Sequence, residues 1–273
     1  KWFDQNNPTI VIIAAAKVGG ILANSTYPTE FLLENLNIQN NLIETAWQNK
    51  IKRLLFLGSS CIYPKLANQP IQEESLLTSE LEETNQPYAI AKIAGIKLCE
   101  ALRKQYNFDT ISLMPTNLYG PGDNYHPDNS HVMAALIRKF YLASQGLLES
   151  VTCWGTGNPL REFMHVEDLG EAVVFALENW DPSEKTAPKD DNGEPLTYLN
   201  VGTGKEIRIF DLANKLSQLV GYKGEILWDH SKPDGMHRKL LNTTRFNKLG
   251  WSSKINLNEG IKRTLNELKN IEI

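Results

Sequence analysis

Residues 53–64 read RLLFLGSSCIYP, an apolar run that passes directly into a turn of small and polar residues. Continuous apolar runs of this kind are typical of strands buried in a parallel sheet, where ligands bind at the carboxyl ends of the strands. Two similar runs occupy residues 9–14 and 110–114, and between them residues 88–106 carry apolar side chains at helical spacing. Strands and helices that alternate in this way predict a doubly wound parallel α/β sheet.

Tyr88 and Lys92 stand four residues apart on the predicted helix, so they share one of its faces. A nearby ammonium favours a phenolate, and we therefore expect Lys92 to lower the pKa of Tyr88. Ser59, at the end of the preceding strand, is placed to share a proton with that phenol. Such a set can exchange a proton with the oxygen of an alcohol or ketone while hydride moves to or from its carbon. The alternative is a surface lysine lying past a ring, which is what most Tyr-x-x-x-Lys spacings are.

The composition of the 273-residue chain is 41% hydrophobic and 22% charged, as in an ordinary globular protein. A formal net charge of -4 argues against a general binder of nucleic acids or membrane surfaces. Cys61, Cys99 and Cys153 lack Cys-x-x-Cys spacing, so we predict neither a disulfide framework nor a metal site. Free thiols favour a reducing compartment, and a cytoplasmic location is expected. The longest apolar run, residues 10–16, is far shorter than the ~20 residues that span a bilayer.

The dinucleotide fingerprint Gly-x-Gly-x-x-Gly occurs nowhere in the chain. The two Gly-Thr-Gly sequences, at 155–157 and 202–204, are interpreted as turns. Residues 1–7 look like the end of a helix whose beginning is missing. The protein therefore either binds no dinucleotide or lacks the first two strands of its dinucleotide-binding domain, and the abrupt start inside a helix favours the second interpretation.

The character of the chain changes after residue 128. We predict a truncated dinucleotide-binding domain over 1–128 and a smaller mixed α/β lobe over 129–273, with some segments of about 161–201 returning to the first domain. Residues 129–131 are expected to cap a helix, because Asn and Ser are favoured N-caps. The charged, proline-rich residues 180–195 are interpreted as a mobile surface loop.

Five motifs occur in one order in this chain: SSCIYP at 59–64, YAIAK at 88–92, PTNLYGP at 115–121, NSHV at 129–132 and KPDG at 232–235. Together they resemble the GDP-L-fucose synthase family of extended short-chain dehydrogenases, from about residue 9 onward. The Tyr-x-x-x-Lys motif is shared across the superfamily. The cysteine of the first motif and the histidine of the fourth are more specific, since nucleotide-sugar dehydratases and 4-epimerases do not show that pair.

The resemblance implies a Rossmann-like fold and NADPH-dependent 3,5-epimerisation and 4-reduction of GDP-4-keto-6-deoxy-D-mannose. It makes Cys61 the base and His131 the acid of the epimerisation, and a thiol and an imidazole both titrate near neutral pH. It makes Tyr88 the donor of a proton to the C4 oxygen, with Lys92 holding the cofactor ribose and Ser59 bonding the substrate oxygen. The alternatives are a packing role for Cys61 and a capping or core role for His131.

The resemblance also implies which residues line the ligands. For NADP (NADPH) these are Ala14, Ala15, Leu57, Gly58, Ser59, Ser60, Tyr88, Lys92, Pro115, Thr116, Asn117, Leu118 and His131. For the nucleotide-sugar substrate they are Lys139, Trp154, Arg161 and Asp234. An arginine can bond a diphosphate with two donors, a tryptophan offers an aromatic face, and an aspartate accepts hydrogen bonds from hydroxyls.

The residues alone do not decide the oligomeric state, the choice of cofactor, the roles of the remaining histidines or between related functions. The resemblance implies a homodimer formed through two long helices, with residues 29–48 and 88–106 as candidates. NADP is preferred to NAD on the resemblance alone. Structural roles are preferred for the four histidines that receive no assignment, His126, His165, His230 and His237. A nucleotide-sugar 4-epimerase, a 4,6-dehydratase and a non-catalytic remnant of the fold remain as alternative functions.

Overall fold

The computed structural model describes residues 1–269, and of Asp4 it describes the backbone only. The strands are β1 Ile10–Ile13, β2 Arg53–Leu57, β3 Thr110–Pro115, β4 Asn117–Tyr119, β5 Ser150–Trp154, β6 Leu160–His165, β7 Tyr198–Val201, β8 Glu206–Arg208, β9 Glu225–Asp229 and β10 Arg238–Lys239. The helices are α1 Trp2–Asn6, α2 Ile21–Thr26, α3 Pro28–Gln48, α4 Gln86–Tyr106, α5 Val132–Ser144, α6 Val166–Asn179, α7 Ile209–Val220, α8 Thr244–Lys248 and α9 Leu257–Leu268.

The first sheet has four parallel strands in the order β1-β2-β3-β7. Its two central strands are mostly buried, and β3 is buried at every position. The prediction of a parallel α/β sheet is therefore confirmed. The expectation that residues 9–14 are buried on both faces is wrong, because β1 is an edge strand of this sheet. Ile10 and Ile12 on one face are each 47% exposed, whereas Ile13 on the other face is buried and Val11 packs against the same core.

Helices α3 and α4 pack against each other. Helix α4 carries both residues of the Tyr-x-x-x-Lys motif, Tyr88 and Lys92. The side chain of Gln39 donates to the carbonyl of Ala91 at 2.6 Å and joins the two helices inside the core. Gly95 lets α4 approach the sheet, since a Cβ at this position would lie 2.6 Å from the Phe56 ring. The packing of α4 on β2 therefore determines how close its first two turns come to the end of that strand.

A second core is built from α5, α7, α9 and the parallel pair β5-β9. Between the two cores runs β6, which pairs with β4 and β10 in parallel and with β8 in antiparallel fashion. The side chain of Glu162 on β6 is fully buried. Its carboxylate accepts from the amides of Thr203 at 2.6 Å, Gly204 at 2.7 Å and Leu241 at 3.0 Å. One buried carboxylate thus ties the turn after β7 to the segment after β10.

Two local predictions are corrected by the structure. The helix expected to be capped by residues 129–131 begins at Val132, and its N-cap is His131, which makes no side-chain cap bond. The Asn129 carbonyl instead accepts from the amide of Gly20 at 2.9 Å, so this segment is tied to the turn between β1 and α2. The loop 180–195 is not wholly on the surface, because Trp180 is only 1% exposed. Within residues 1–269, no helix is long and apolar enough to cross a membrane.

Candidate active site

A cleft of about 690 Å³ opens where the carboxyl ends of β1, β2 and β3 face the second core. Fifteen of the residues expected to contact ligands line it. These are Ala14, Gly58, Ser59, Ser60, Cys61, Tyr88, Pro115, Thr116, Asn117, Leu118, His131, Lys139, Trp154, Arg161 and Asp234. The structure thus brings together, in one cleft, side chains from both halves of the chain. Ala15, Leu57 and Lys92 do not form its wall.

The turn after β2 presents its polar groups to this cleft. The Ser59 side chain accepts from the amide of Cys61 at 3.2 Å and caps a short 3-10 turn, Ser60–Ile62. Gly58 allows β3 to lie close behind, because a Cβ there would meet the sulfur of Met114 at 2.4 Å. The backbone therefore directs the serine and cysteine side chains toward one space.

The Tyr88 hydroxyl lies in this group, but its pKa is shifted opposite to our expectation. Burial raises the pKa of Tyr88 well above its usual value, and the neighbouring Cys61 raises it further. A hydrogen bond with the Ser59 side chain opposes these two effects without overcoming them. The predicted lowering of the Tyr88 pKa by Lys92 is therefore wrong, because burial, which disfavours the phenolate, is the largest effect on this group.

Lys92 lies beneath the cleft, with only 3% of its surface exposed. Its ammonium donates to the carbonyl of Leu57 at 2.9 Å and lies 4.8 Å from the ring centroid of Phe56 and 5.9 Å from that of Tyr88. Burial lowers the pKa of Lys92 to about 8. The lysine therefore joins the end of β2 to the first turns of α4, next to the phenol.

Two donors that the sequence did not reveal surround the sulfur of Cys61. The amide nitrogen of Asn85 lies 3.3 Å from it, and the ammonium of Lys239 lies 3.4 Å from it. Asn85 precedes α4, three residues before Tyr88, so its proximity follows from the position of the predicted helix. Lys239 belongs to the two-residue strand β10 and carries no motif that would have marked it.

His131 lies on the wall of the same cleft as Cys61 and Tyr88. Its backbone is positioned by Gly20, where a Cβ would fall 2.4 Å from the carbonyl oxygen of Ser130. Burial within the cleft lowers the pKa of His131, and the positive charge of Lys239 lowers it further. The thiol, the imidazole and the phenol therefore share one space, with a buried ammonium near the first two.

The guanidinium of Arg161 also lines the cleft and donates to the carbonyls of Leu160 at 2.9 Å and Asp234 at 3.2 Å. Burial lowers the pKa of Arg161 to about 10. Asp234 is already engaged, because its carboxylate accepts from the amide and the hydroxyl of Thr156, each at 2.7 Å. Asp234 therefore fixes the turn after β5 as well as facing the cleft.

Trp154, on the wall of the same cleft, is 37% exposed and has two ammonium groups near its ring. The Lys139 nitrogen lies 5.6 Å from the ring centroid and also donates to the carbonyl of Thr152 at 2.7 Å. The nitrogen of Lys232, the first residue of the KPDG motif and one to which no role was assigned, lies 5.3 Å from the same centroid. The result is an open aromatic surface with two positive charges beside it.

The four unassigned histidines lie outside the group formed by Cys61, Tyr88 and His131. His165 is fully buried and caps α6, accepting from the amide of Glu167 at 3.3 Å. His126 accepts from the amides of Asp128 at 3.1 Å and Asn129 at 3.2 Å, and so shapes the loop before α5. His230 and His237 are exposed. Among the side chains that the structure describes, no three His, Cys, Asp or Glu residues form a group that could hold a metal ion.

A parallel α/β sheet with a cleft at the carboxyl ends of its strands is the architecture of a Rossmann-like fold. Residues 1–189 match the NAD dependent epimerase/dehydratase family. GDP-L-fucose synthase 1 of Arabidopsis thaliana is 51% identical over 271 residues, which cover 99% of this chain and 80% of that protein. GDP-L-fucose synthase of Escherichia coli (strain K12) is 52% identical over 258 residues, covering 93% of this chain and 78% of that protein. The chain belongs to the GDP-L-fucose synthase family.

A solved structure is similar over the same length. The GDP-mannoheptose C4 reductase of Campylobacter jejuni, determined with NADP bound, is 35% identical, with a TM-score of 0.85. The match covers 98% of this chain and 83% of that one. The family resemblance inferred from the five motifs is thereby confirmed. The matches give no support to the expectation that the first strands of the fold are missing.

Proposed function

We propose that this chain catalyses the NADPH-dependent 3,5-epimerisation and 4-reduction of GDP-4-keto-6-deoxy-D-mannose to GDP-L-fucose. The observation that carries the proposal is the presence of Cys61 and His131 on the wall of the cleft that also contains Tyr88. Relatives about half identical to the chain bear the name of this activity. Neither a 4-epimerase nor a 4,6-dehydratase inverts C3 and C5, so neither needs a base and an acid on opposite faces of the sugar ring at these carbons.

The residues of the cleft fit a nicotinamide cofactor. The Oδ1 atom of Asn24 and the hydroxyl of Ser130 are buried without a partner in the described part of the chain, and both residues line the cleft. Buried polar atoms are normally hydrogen-bonded, so unpartnered ones on a cleft wall suit a polar ligand. The NADP-bound C4 reductase, which is 35% identical, supports NADP as that ligand. When bound, the reduced cofactor supplies hydride to the sugar carbon.

The epimerisation needs a base on one face of the sugar ring and an acid on the other. Hydrogens next to a ketone are acidic because the resulting enolate carries its charge on oxygen. We assign the sulfur of Cys61 to remove this hydrogen as a proton and the imidazolium of His131 to return one from the opposite face. The lowered pKa of His131 makes its protonated form a stronger acid and also makes that form less populated at neutral pH, so we expect the epimerisation to slow as pH rises.

The reduction needs a proton for the C4 oxygen, and we assign this step to Tyr88. The raised pKa of Tyr88 keeps its phenol protonated at neutral pH, as a donor must be before the reaction. Ser59 would hydrogen-bond the same oxygen and stabilise its developing charge. Lys92 would contribute positive charge below the phenol and hold the ribose of the cofactor.

The exposed end of the cleft is assigned to the GDP part of the substrate. Arg161 and Lys139 would bind the diphosphate, since a guanidinium can donate two parallel bonds to phosphate oxygens. Trp154 offers its ring as a packing surface. Asp234, whose carboxylate holds Thr156, keeps oxygen lone pairs that can accept from a substrate hydroxyl.

We also infer a cytoplasmic homodimer. The three cysteines are free thiols, as expected in a reducing compartment. The long helices α3 and α4 expose apolar side chains, Leu33 at 53% and Ile90 at 44%. These helices would form the contact between two copies. Sedimentation of a Leu33→Glu variant would test this, with dissociation into monomers as the expected result.

The experiment that tests the activity is incubation of the protein with GDP-4-keto-6-deoxy-D-mannose and NADPH in deuterated water. We expect oxidation of NADPH, deuterium at C3 and C5, and a product with the stereochemistry of L-fucose, all observed by NMR. A product reduced at C4 without deuterium at C3 and C5 would show a simple C4 reductase. Epimerised keto-sugar without oxidation of NADPH would show a 3,5-epimerase that lacks the reduction. No reaction with this keto-sugar would leave the 4-epimerase or dehydratase alternative, since both of those enzymes act on sugars that carry a C4 hydroxyl.

A further inference from the structure

Lys239 is a buried ammonium directed at the sulfur of Cys61. It is 5% exposed, and its nitrogen lies 3.4 Å from the sulfur, which is its hydrogen-bond partner in the described part of the chain. Strand β10, which carries it, pairs with β6 so that Lys239 lies opposite Arg161. The next residue is fixed as well, because the amide of Leu240 donates to the Gln69 side chain at 2.9 Å. The ammonium is therefore held in place on ordered backbone.

The charges around the sulfur explain why this contact has consequences. Burying an ammonium is costly unless a negative charge compensates it. The titratable groups that face Cys61 are Lys239 on β10, Arg161 on β6 and Tyr88 on α4, and of these the first two are cations. His131 lies within the influence of Lys239, and the carboxylate of Glu82 lies within that of Arg161. A negative charge at the sulfur would balance this positive group.

We propose that Lys239 is a positioning residue for Cys61, whose buried ammonium holds the sulfur in the thiolate form. A thiolate can accept a proton, whereas a thiol cannot. This inference rests on the proposed role of Cys61 as the base of the epimerisation. Asn85 donates a second, neutral hydrogen bond to the same sulfur at 3.3 Å. A hydrogen bond from a charged donor is roughly twice as strong as a neutral one, so the lysine dominates.

The test measures the reactivity of the sulfur itself, without any sugar substrate. Iodoacetamide alkylates thiolates and not thiols, and mass spectrometry of the Cys61 peptide reports the rate. The other two cysteines are 2% and 1% exposed, and a Cys61→Ser variant provides the blank. In Lys239→Met we expect alkylation about tenfold slower near neutral pH. The rates of variant and wild type should converge at about pH 10, where a thiol ionises without help.

Matched variants separate charge from packing. Lys239→Arg keeps the charge and should recover most of the rate, whereas Asn85→Leu removes only a neutral donor and should slow alkylation less than Lys239→Met. Lys248→Met removes an equal charge from the exposed surface of α8 and should leave the rate unchanged. Circular dichroism and thermal unfolding of every variant identify any that fail to fold, and Lys239→Arg with Asn85→Leu still tests the proposal if Lys239→Met does.

The possible outcomes are distinct. An alkylation rate in folded Lys239→Met equal to that of wild type at every pH would overturn the proposal. A uniform slowing at all pH values would also overturn it, because that result indicates altered access to the sulfur. If alkylation changes as expected while exchange of the sugar hydrogens does not, Lys239 does hold the thiolate and it is the role of Cys61 as base that fails. The two inferences are thus tested separately.

Discussion

The two ends of the cleft are built in different ways. At one end, Tyr88 and Lys92 project from a long helix that packs on the central sheet, and Lys92 is almost fully buried. At the other end, Trp154 is 37% exposed beside two lysines, on strands and turns of the smaller lobe. The first end is enclosed and therefore low in dielectric, and the second is open to water. Electrostatic interactions are stronger at the enclosed end, to which proton transfer is assigned. They are weaker at the open end, to which substrate binding is assigned.

The largest effect is expected at the buried end. Tyr88→Phe removes the proton donor and should slow reduction of the keto-sugar by about 10³-fold, the range typical of a general acid. Exchange of the C3 and C5 hydrogens with solvent should continue, since it depends on other groups. Steady-state oxidation of NADPH and deuterium incorporation by NMR measure the two reactions. Tyr106→Phe, on the exposed end of the same helix, is the control. If Tyr88→Phe reduced the keto-sugar as fast as wild type does, Tyr88 would not be the proton donor. The assignment of proton transfer to the buried end would then fail.

Arg161 should show the next largest effect, because its guanidinium is half enclosed although it lies toward the binding end. Arg161→Gln removes a charged donor to the diphosphate and should raise KM about 10- to 30-fold, with kcat changed much less. Arg208→Gln, which breaks an exposed pair with Asp211, is the matched control and should change neither constant. A loss confined to kcat would place Arg161 with the reacting atoms and weaken the comparison.

The buried lysine should be visible in the pH dependence of stability. In the folded chain the pKa of Lys92 is lowered from 10.5 to about 8, mainly by burial. The unfolded chain therefore binds more protons between those values, and stability linked to neutral Lys92 is complete above pH 10.5 and lost as pH falls through about 8. Relative to Lys92→Met, the free energy of unfolding of wild type should rise by about 1–3 kcal/mol from pH 7 to pH 10.

Urea unfolding at a series of pH values measures this difference. Lys97→Met, on the exposed face of the same helix, is the control and should differ from wild type by a constant amount. If the difference between wild type and Lys92→Met is also constant with pH, the ammonium is better solvated than its 3% exposure indicates.

The smallest effect is expected at the exposed aromatic surface. Trp154→Leu removes the ring near two ammonium groups, and exposed contacts of this kind contribute about 0.5–1 kcal/mol. KM should therefore rise only about two- to fivefold. Steady-state kinetics with varied sugar nucleotide measures the change. Trp2→Leu, at a more exposed tryptophan that does not line the cleft, should leave KM unchanged. A rise as large as that of Arg161→Gln would mean that the open end binds as tightly as the enclosed one.

The difference between the two ends also explains what the sequence could reveal. Apolar runs and helical spacing are local patterns, so β2, β3 and α4 were predicted within two residues of their observed bounds. The shared face of Tyr88 and Lys92 followed from spacing alone. The direction of the shift in the Tyr88 pKa could not be predicted from spacing, because burial depends on packing by distant segments.

Contacts between distant segments were likewise out of reach. Lys239 lies 178 positions from Cys61 in the chain, and no spacing rule connects them. The exposure of β1 depends on which strand lies at the sheet edge, which an apolar run such as residues 9–14 cannot indicate. Lys232 is the first residue of the KPDG motif, but its proximity to Trp154 depends on the pairing of β5 with β9.

The strand β6 places two opposite charges next to each other in the chain and on opposite faces. Arg161 lines the cleft, and the fully buried Glu162 accepts three backbone amides. Because side chains alternate along a strand, gaining or losing a single residue here would turn a carboxylate toward an anionic ligand and a guanidinium toward the amides. Only changes by an even number would preserve the arrangement. In this segment, substitutions at most positions should therefore be tolerated better than the insertion or deletion of a single residue.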